Sequence, residues 1–191
     1  AGNSRTNLRQ MLDSPRDIRT REIERHSEYY NKPAKIFIEC YNNTKTGIKD
    51  YFISYESLDK VALFGFIRLR LPSKMIDIKD QDLFPILKDR ALIRELHVYG
   101  YNTTVGTNVR ASQHKGIGTA LLKKAEEVAF YNNYPGIVVI SGEGVKKYYE
   151  NRGYLEEDTY MYKDYYITFK QSIIIIIFTI LQLFIYFIYF Y

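Results

Sequence analysis

Up to Tyr99 the apolar positions of this chain fall into short runs rich in β-formers, and after Gly116 they switch to helical spacing. Ile36-Phe37-Ile38-Glu39-Cys40-Tyr41 is too short for a typical helix and predicts a strand, closed by a turn at Asn42 to Gly47. Tyr51 to Glu56 and Val61 to Arg70 flank a short polar turn and predict a hairpin. In its second strand Phe66 shares a face with Arg68 and Arg70, and Ile67 shares the other with Leu69. Leu71 to Asp89, around Pro72 and Pro85, reads as loop. Ile93 to Tyr99 predicts a further strand ending at Gly100, and a polar loop follows from Tyr101 to Ser112.

Ile117, Leu121, Ala125, Val128 and Ala129 then recur on one helical face, with Lys123, Lys124, Glu126 and Glu127 on the rest of the surface. Pro135-Gly136 ends that helix. Ile137 to Ile140 is a short, wholly apolar strand of the kind buried between layers. Val145 to Arg152 predicts a second helix with a left-handed cap at Gly153, and Tyr154 to Tyr162 a last strand or hairpin. Strands and helices alternating after an antiparallel hairpin define an α/β sheet of mixed direction flanked by helices.

Two segments flank this pattern. Residues 1–35 read as a basic, mostly helical arm interrupted at Pro15, carrying Arg5, Arg9, Arg16, Arg19, Arg21 and Arg25. After a linker at 164–172, residues 173–191 carry no charge. Nineteen residues at ~1.5 Å each give about 28 Å, close to a bilayer core, so a C-terminal transmembrane tail anchor is expected. Tyr186, Tyr189 and Tyr191 suit the far interface. A buried or aggregating strand and a mis-assigned exon are the alternatives.

The net charge of +5 (27 Lys+Arg against 22 Asp+Glu) suits a polyanionic partner and equally suits solubility. One cysteine, Cys40, excludes an intramolecular disulfide and a multi-cysteine metal or iron–sulfur site; a small buried side chain is its expected role. No metal site is expected. The chain starts at Ala1 without an initiator Met and reads as a fragment of something longer.

The sharpest local signal is Gln113-His114-Lys115-Gly116-Ile117-Gly118 at the start of the first long helix. Two glycines at a helix N-terminus leave free backbone N–H groups, which bind phosphate. A tight strand-to-helix turn would leave the same trace. The spacing matches neither a Walker loop nor the dinucleotide-binding pattern.

In GNAT enzymes the pattern Q/R-x-x-G-x-G/A opens the helix that holds the pyrophosphate of acetyl-CoA, and Gln113, Gly116 and Gly118 match it. The longer words Arg94 to Gly100, Gln113 to Leu122, Val139 to Val145, Tyr148-Tyr149, Gly153-Tyr154 and Tyr160-Met161 resemble the GNAT acetyltransferase domain of the Elongator catalytic-subunit family. So do Arg16 to Glu22 and Gly65 to Arg70. The resemblance covers roughly 5–163, with the GNAT domain at 36–163.

The resemblance implies a GNAT-type mixed sheet and an acetyl-CoA-dependent acetyltransferase acting on the tRNA wobble uridine, with tRNA and other Elongator-type subunits as partners. It places acetyl-CoA on Gln113, His114, Lys115, Gly116, Ile117, Gly118 and Thr119, and along Glu95, Leu96, His97, Val98 and Ile140. Tyr148 and Tyr149 match the family's paired tyrosines. A tyrosine there commonly protonates the departing thiolate, and core packing is the alternative for either one taken singly. His97, Glu95 and Glu143 are candidate general bases. Arg16, Arg19, Arg21 and Lys115 are the RNA-binding candidates. A cytosolic enzyme on a membrane tail is expected, with a nuclear location as the family's other option.

Three departures stand out. The family's S-adenosylmethionine and 4Fe-4S chemistry belongs to an N-terminal radical domain, which is not in this chain. Pro15 stands where many members have cysteine, and the Tyr101 to Ser112 loop lacks an expected proline. A protein or histone lysine acetyltransferase, and a non-catalytic membrane-tethered scaffold that binds acetyl-CoA or RNA, are the other readings.

Overall fold

The computed structural model describes residues 17–73, 84–100, 116–165, 177–182 and 185–186. A short helix α1 (Ile18–Arg21) and two 3₁₀ turns (Ile23–Arg25, Ser27–Tyr29) open the described chain. The strands β1 (Ala34–Asn42), β2 (Lys49–Ser57), β3 (Leu63–Leu71) and β4 (Ala91–Val98) follow. Then come α2 (Ile117–Tyr131), β5 (Gly136–Ile140), α3 (Lys146–Glu150), β6 (Leu155–Glu157) and β7 (Tyr160–Asp164).

The strands form one sheet in the order β1-β2-β3-β4-β5-β7-β6. β1 to β4 pair in sequence order as an antiparallel meander. β4 and β5 are parallel, since the α2 crossover lies between them. β7 then returns antiparallel to β5, with β6 outside it. The mixed direction expected from the sequence is present.

Of the helical stripe predicted on α2, Ile117, Leu121, Ala125 and Ala129 are buried and Val128 is half-buried against the same core, while Leu122, outside the predicted stripe, is buried too. They share one core with Ile53, Ile67, Leu69, Ile93, Ile137 and Val139 from the central strands. Burying such a Leu or Ile is worth roughly 1.5–3 kcal/mol, so this helix and the sheet centre hold each other. Phe66 and Ile67 lie on opposite faces of β3 and both are buried, while Arg68 beyond them is exposed.

The described part of the N-terminal segment packs onto the β2–β3 turn. Ile23 is fully buried, and Glu22 bridges Leu63. Arg21 Nη1 donates to Glu56 Oε2 at 2.6 Å and to the Lys60 carbonyl, and the Tyr29 hydroxyl donates to Asp59 at 2.7 Å.

Three expectations are corrected. Cys40 is exposed, because β1 is the edge strand and is flanked on one side only. The predicted Val145 to Arg152 helix begins as a 3₁₀ turn at Glu143–Val145, and its α-helical part is only Lys146–Glu150. Gly153 follows with φ +82°, the left-handed conformation expected of its cap. The loop assigned to Leu71–Asp89 is entered late, since β3 runs through Leu71, and it contains a 3₁₀ turn at Pro85–Leu87.

Most of the 173–191 run lies outside the described residues; 177–182 and 185–186 are helical and exposed. Among the described residues no helix is long and apolar enough to cross a membrane.

Candidate functional site

The sheet opens at one place. β4 and β5 pair only through Ala91–Ile137, Leu92–Val138 and Ile93–Val139. Beyond Ile93, β4 runs on to Val98 along β3, while β5 stays with β7 through Ile140–Tyr160. The two parallel strands therefore part. Among the described residues, the peptide groups of β4 past Ile93 that face β5 have no ladder partner on that side. Val98 is 43% exposed and Ile140 65%, and they stand at the two sides of the gap.

The N-terminus of α2 stands beside this gap. Its cap, Gly116, has φ +103°, a conformation that strains any residue with a Cβ, and it offers no side chain to satisfy the first turn. The N–H groups of Ile117, Gly118 and Thr119 are orphan donors by helix geometry, with the positive end of the helix dipole behind them. A Cβ on Gly118 would lie 2.8 Å from the Tyr148 hydroxyl and 3.4 Å from Val98 Cγ2. Glycine here lets α3 and β4 close around the first turn.

The paired tyrosines divide. Tyr149 is 5% exposed, packs edge-on against Tyr154 at 5.5 Å, and belongs to the core. Burial pushes its phenol up to about 12. Tyr148 is half-buried against Gly118, and its hydroxyl is shut off from solvent with no hydrogen-bond partner among the described residues. Arg152 lies over its ring at 3.6 Å and donates to Thr119 Oγ1 at 2.7 and 3.2 Å and to the Tyr148 carbonyl at 2.6 Å. A buried hydroxyl without a partner costs about 1–3 kcal/mol. Such a group in a folded protein calls for an explanation: stored strain, an ordered water or ion, or a catalytic role.

The other candidates are distributed as follows. Leu96 is half-buried in β4, and Ile117 points into the core, so it can meet a ligand through its N–H alone. Glu95 pairs with Arg68 at 3.7 Å. His97 is exposed, its ring 4.5 Å from Tyr99 and 6.0 Å from Phe66. Glu143 is exposed and pairs with Lys146, which also holds Glu156 at 2.7 Å. Arg19 is exposed, whereas the Arg21 guanidinium is committed to Glu56. Arg16, Gln113, His114 and Lys115 lie outside the described residues. Sequence reasoning missed Arg152, which stands four residues after Tyr148 and just past the end of α3, a spacing that carries no signal alone.

A mixed sheet parted between two parallel strands, with an uncapped glycine-bearing helix start at the gap, is a GNAT-type architecture. The relatives are more particular. Over 163 residues the chain is 36% identical to Elongator complex protein 3 of Schizosaccharomyces pombe, covering 82% of this chain and 28% of that protein. It is 33% identical over 151 residues to the human Elongator complex protein 3, covering 78% and 27%. Over 165 residues it is 30% identical to the tRNA uridine(34) acetyltransferase of Dehalococcoides mccartyi, covering 83% and 35%. The solved structure of the archaeal Methanocaldococcus infernus Elp3 superposes with a TM-score of 0.60 at 30% identity, over 85% of this chain and 37% of that one. The chain thus spans about a third or less of the length of these relatives. No protein-family model matches it.

Proposed function

We propose that this chain is the acetyl-CoA-binding part of an Elongator-type acetyltransferase whose acceptor is the wobble uridine of tRNA. The observation that carries the reading is the parted β4/β5 pair beside the uncapped start of α2, with the partnerless Tyr148 hydroxyl at the same turn. The similarity to a named tRNA uridine(34) acetyltransferase supports the acceptor.

The residues present fit acetyl-CoA. The N–H groups of Ile117, Gly118 and Thr119 are donors for a pyrophosphate, and glycine at 116, with nothing within 4 Å of a Cβ placed there, leaves room for it to approach the backbone. The N–H groups of β4 past Ile93 that face β5 suit the amide carbonyls and the acyl carbonyl of a pantetheine arm, the oxyanion-type stabilisation that acyl transfer needs. When bound, acetyl-CoA supplies the acetyl group as an activated thioester. Tyr148 holds a proton at its Oη, screened from water, and can donate it to a departing group. Tyr149 takes the packing role. Arg16, Arg19 and Lys115 are the proposed contacts to tRNA phosphates, and Arg21 serves the fold through Glu56. Elongator-type subunits are the proposed partners, and the reading requires no membrane.

Calorimetric titration with acetyl-CoA tests it. Wild type should bind, and Gly116→Glu or Gly118→Glu should lose at least ~100-fold in affinity, the first by placing a carboxylate beside the pyrophosphate and the second by forcing Tyr148 and Val98 away from the first turn of α2. Unchanged affinity in both variants refutes the pocket.

A further inference from the structure

We propose that Arg152 is a positioning residue whose guanidinium clamps the Tyr148 ring and ties it to Thr119, holding the phenol hydroxyl against the first turn of α2. The inference rests on the acetyl-transfer reading for its functional meaning and on geometry for the clamp itself.

The geometry is a three-point hold. Arg152 Cζ lies 3.6 Å from the Tyr148 ring centroid, within the range of a cation–π contact. Nη1 donates to the Tyr148 carbonyl at 2.6 Å, while Nη2 and Nε reach Thr119 Oγ1 at 2.7 and 3.2 Å. Only a planar fork can stack on a ring and bridge two acceptors at once; an ammonium on a flexible stem cannot. The clamp spans two elements, because Tyr148 is on α3 and Thr119 is in the first turn of α2.

The clamp answers a specific difficulty. The Tyr148 hydroxyl is buried without a partner, so left to itself the ring should swing to a rotamer in which the hydroxyl reaches water. Tyr149 presses its ring from the side, at 5.2 Å and nearly perpendicular. Gly118 leaves only enough room for the hydroxyl. Arg152 closes the remaining open face, which makes the unfavourable rotamer the held one. An orphaned donor fixed in this way is pre-organised for an incoming acceptor.

The test uses the full chain with ring-¹³C tyrosine, the Tyr148 signal being assigned by its loss in Tyr148→Phe. In Arg152→Ala the Tyr148 ring signal should move and its two edges should average, while the Tyr149 and Tyr154 signals stay. Thr119→Val should reproduce much of that change, Thr119→Ser should keep the wild-type Tyr148 signal, and Arg152→Lys should not restore it. In steady-state acetyl transfer, kcat of Arg152→Ala should fall ~10–100-fold with KM for acetyl-CoA little changed, as expected for a group misplaced by up to about 1 Å. A Tyr148 signal indifferent to Arg152→Ala overturns the clamp, and so does full rescue by lysine. If the clamp signature is present but wild type neither binds nor turns over acetyl-CoA, the clamp stands and the acetyl-transfer reading falls.

Discussion

Adding one methyl group at Gly118 should have opposite effects on stability depending on whether residue 148 carries a hydroxyl. In the wild-type background a Cβ at 118 sits 2.8 Å from Tyr148 Oη, inside contact distance, and the ring cannot easily retreat because Arg152 and Tyr149 hold it. Overpacking of this kind costs about 1–3 kcal/mol. Against it stands the gain of alanine over glycine in a helix, roughly 0.5–1 kcal/mol. Gly118→Ala should therefore destabilise by about 1 kcal/mol, or ~2–4 °C in Tm for a chain of this size. Tyr148→Phe removes a buried hydroxyl that has no partner, so it should be neutral or stabilising by up to about 1 kcal/mol. With that oxygen gone, the nearest neighbours of the new methyl are Val98 Cγ2 at 3.4 Å and Tyr148 Cζ at 3.7 Å, ordinary contacts. In that background Gly118→Ala should stabilise by roughly 0.5–1 kcal/mol, which makes the coupling between the two sites about 2 kcal/mol. Urea unfolding of the four proteins with common m-values measures it. Additivity within ~0.5 kcal/mol would refute the placement of Tyr148 against α2.

Three further outcomes are expected. Tyr148→Phe should lower kcat for acetyl transfer ~10–1,000-fold while leaving the fold intact, whereas Tyr149→Phe should retain most activity and Tyr149→Ala should cost about 3–5 kcal/mol of stability; steady-state kinetics and thermal melts on the same samples separate the two. Arg21→Ala should destabilise by about 3 kcal/mol, because it leaves the 4%-exposed Glu56 carboxylate without its cation, and denaturant midpoints read this directly. Hydrogen bonds from the Ser57 and Tyr29 hydroxyls hold the Asp59 carboxyl down to about 2, against an unfolded value near ~3.9. The folded value is the depressed one, so this contribution is present above pH ~4 and is lost as pH falls toward 2. Acid unfolding of Asp59→Asn should lack that part of the pH dependence; an unchanged acid limb would remove Asp59 from the account.

Periodicity carried most of the architecture, because it reports burial and burial made the sheet. The Ile67/Leu69 face of β3, the stripe on α2 and the apolar run of β5 each correspond to a face that packs into the one core. It failed where burial depends on position within the sheet. Ile36 to Tyr41 reads like any half-buried strand, and nothing in its pattern says that β1 is an edge and that Cys40 faces out. The short α3 was overextended at both ends for a related reason: the capping glycine at 153 is visible in the sequence, but a 3₁₀ entry at Glu143–Val145 has no apolar period of its own.

The site divides along the same line. Its anion-binding part is local in sequence, two glycines at the start of an amphipathic helix, and was legible as a motif. The parting of β4 from β5 was not legible from periodicity, because it is a property of register: pairing stops at Ile93–Val139 although both strands continue. Nor could the sequence choose between Tyr148 and Tyr149. Adjacent helical residues differ by about 100° in direction, so one had to face the core, but which one depends on where α3 sits over α2. Tyr149 shares its face with Tyr154, across the turn that Gly153 makes, and both are buried. Tyr148 is left on the side of Gly118, and Arg152 is the i+4 residue that can reach its ring. A cation four residues after a tyrosine is common on helix surfaces and carries no signal alone. It becomes informative only when the ring beside it hides a hydroxyl with nothing to bond.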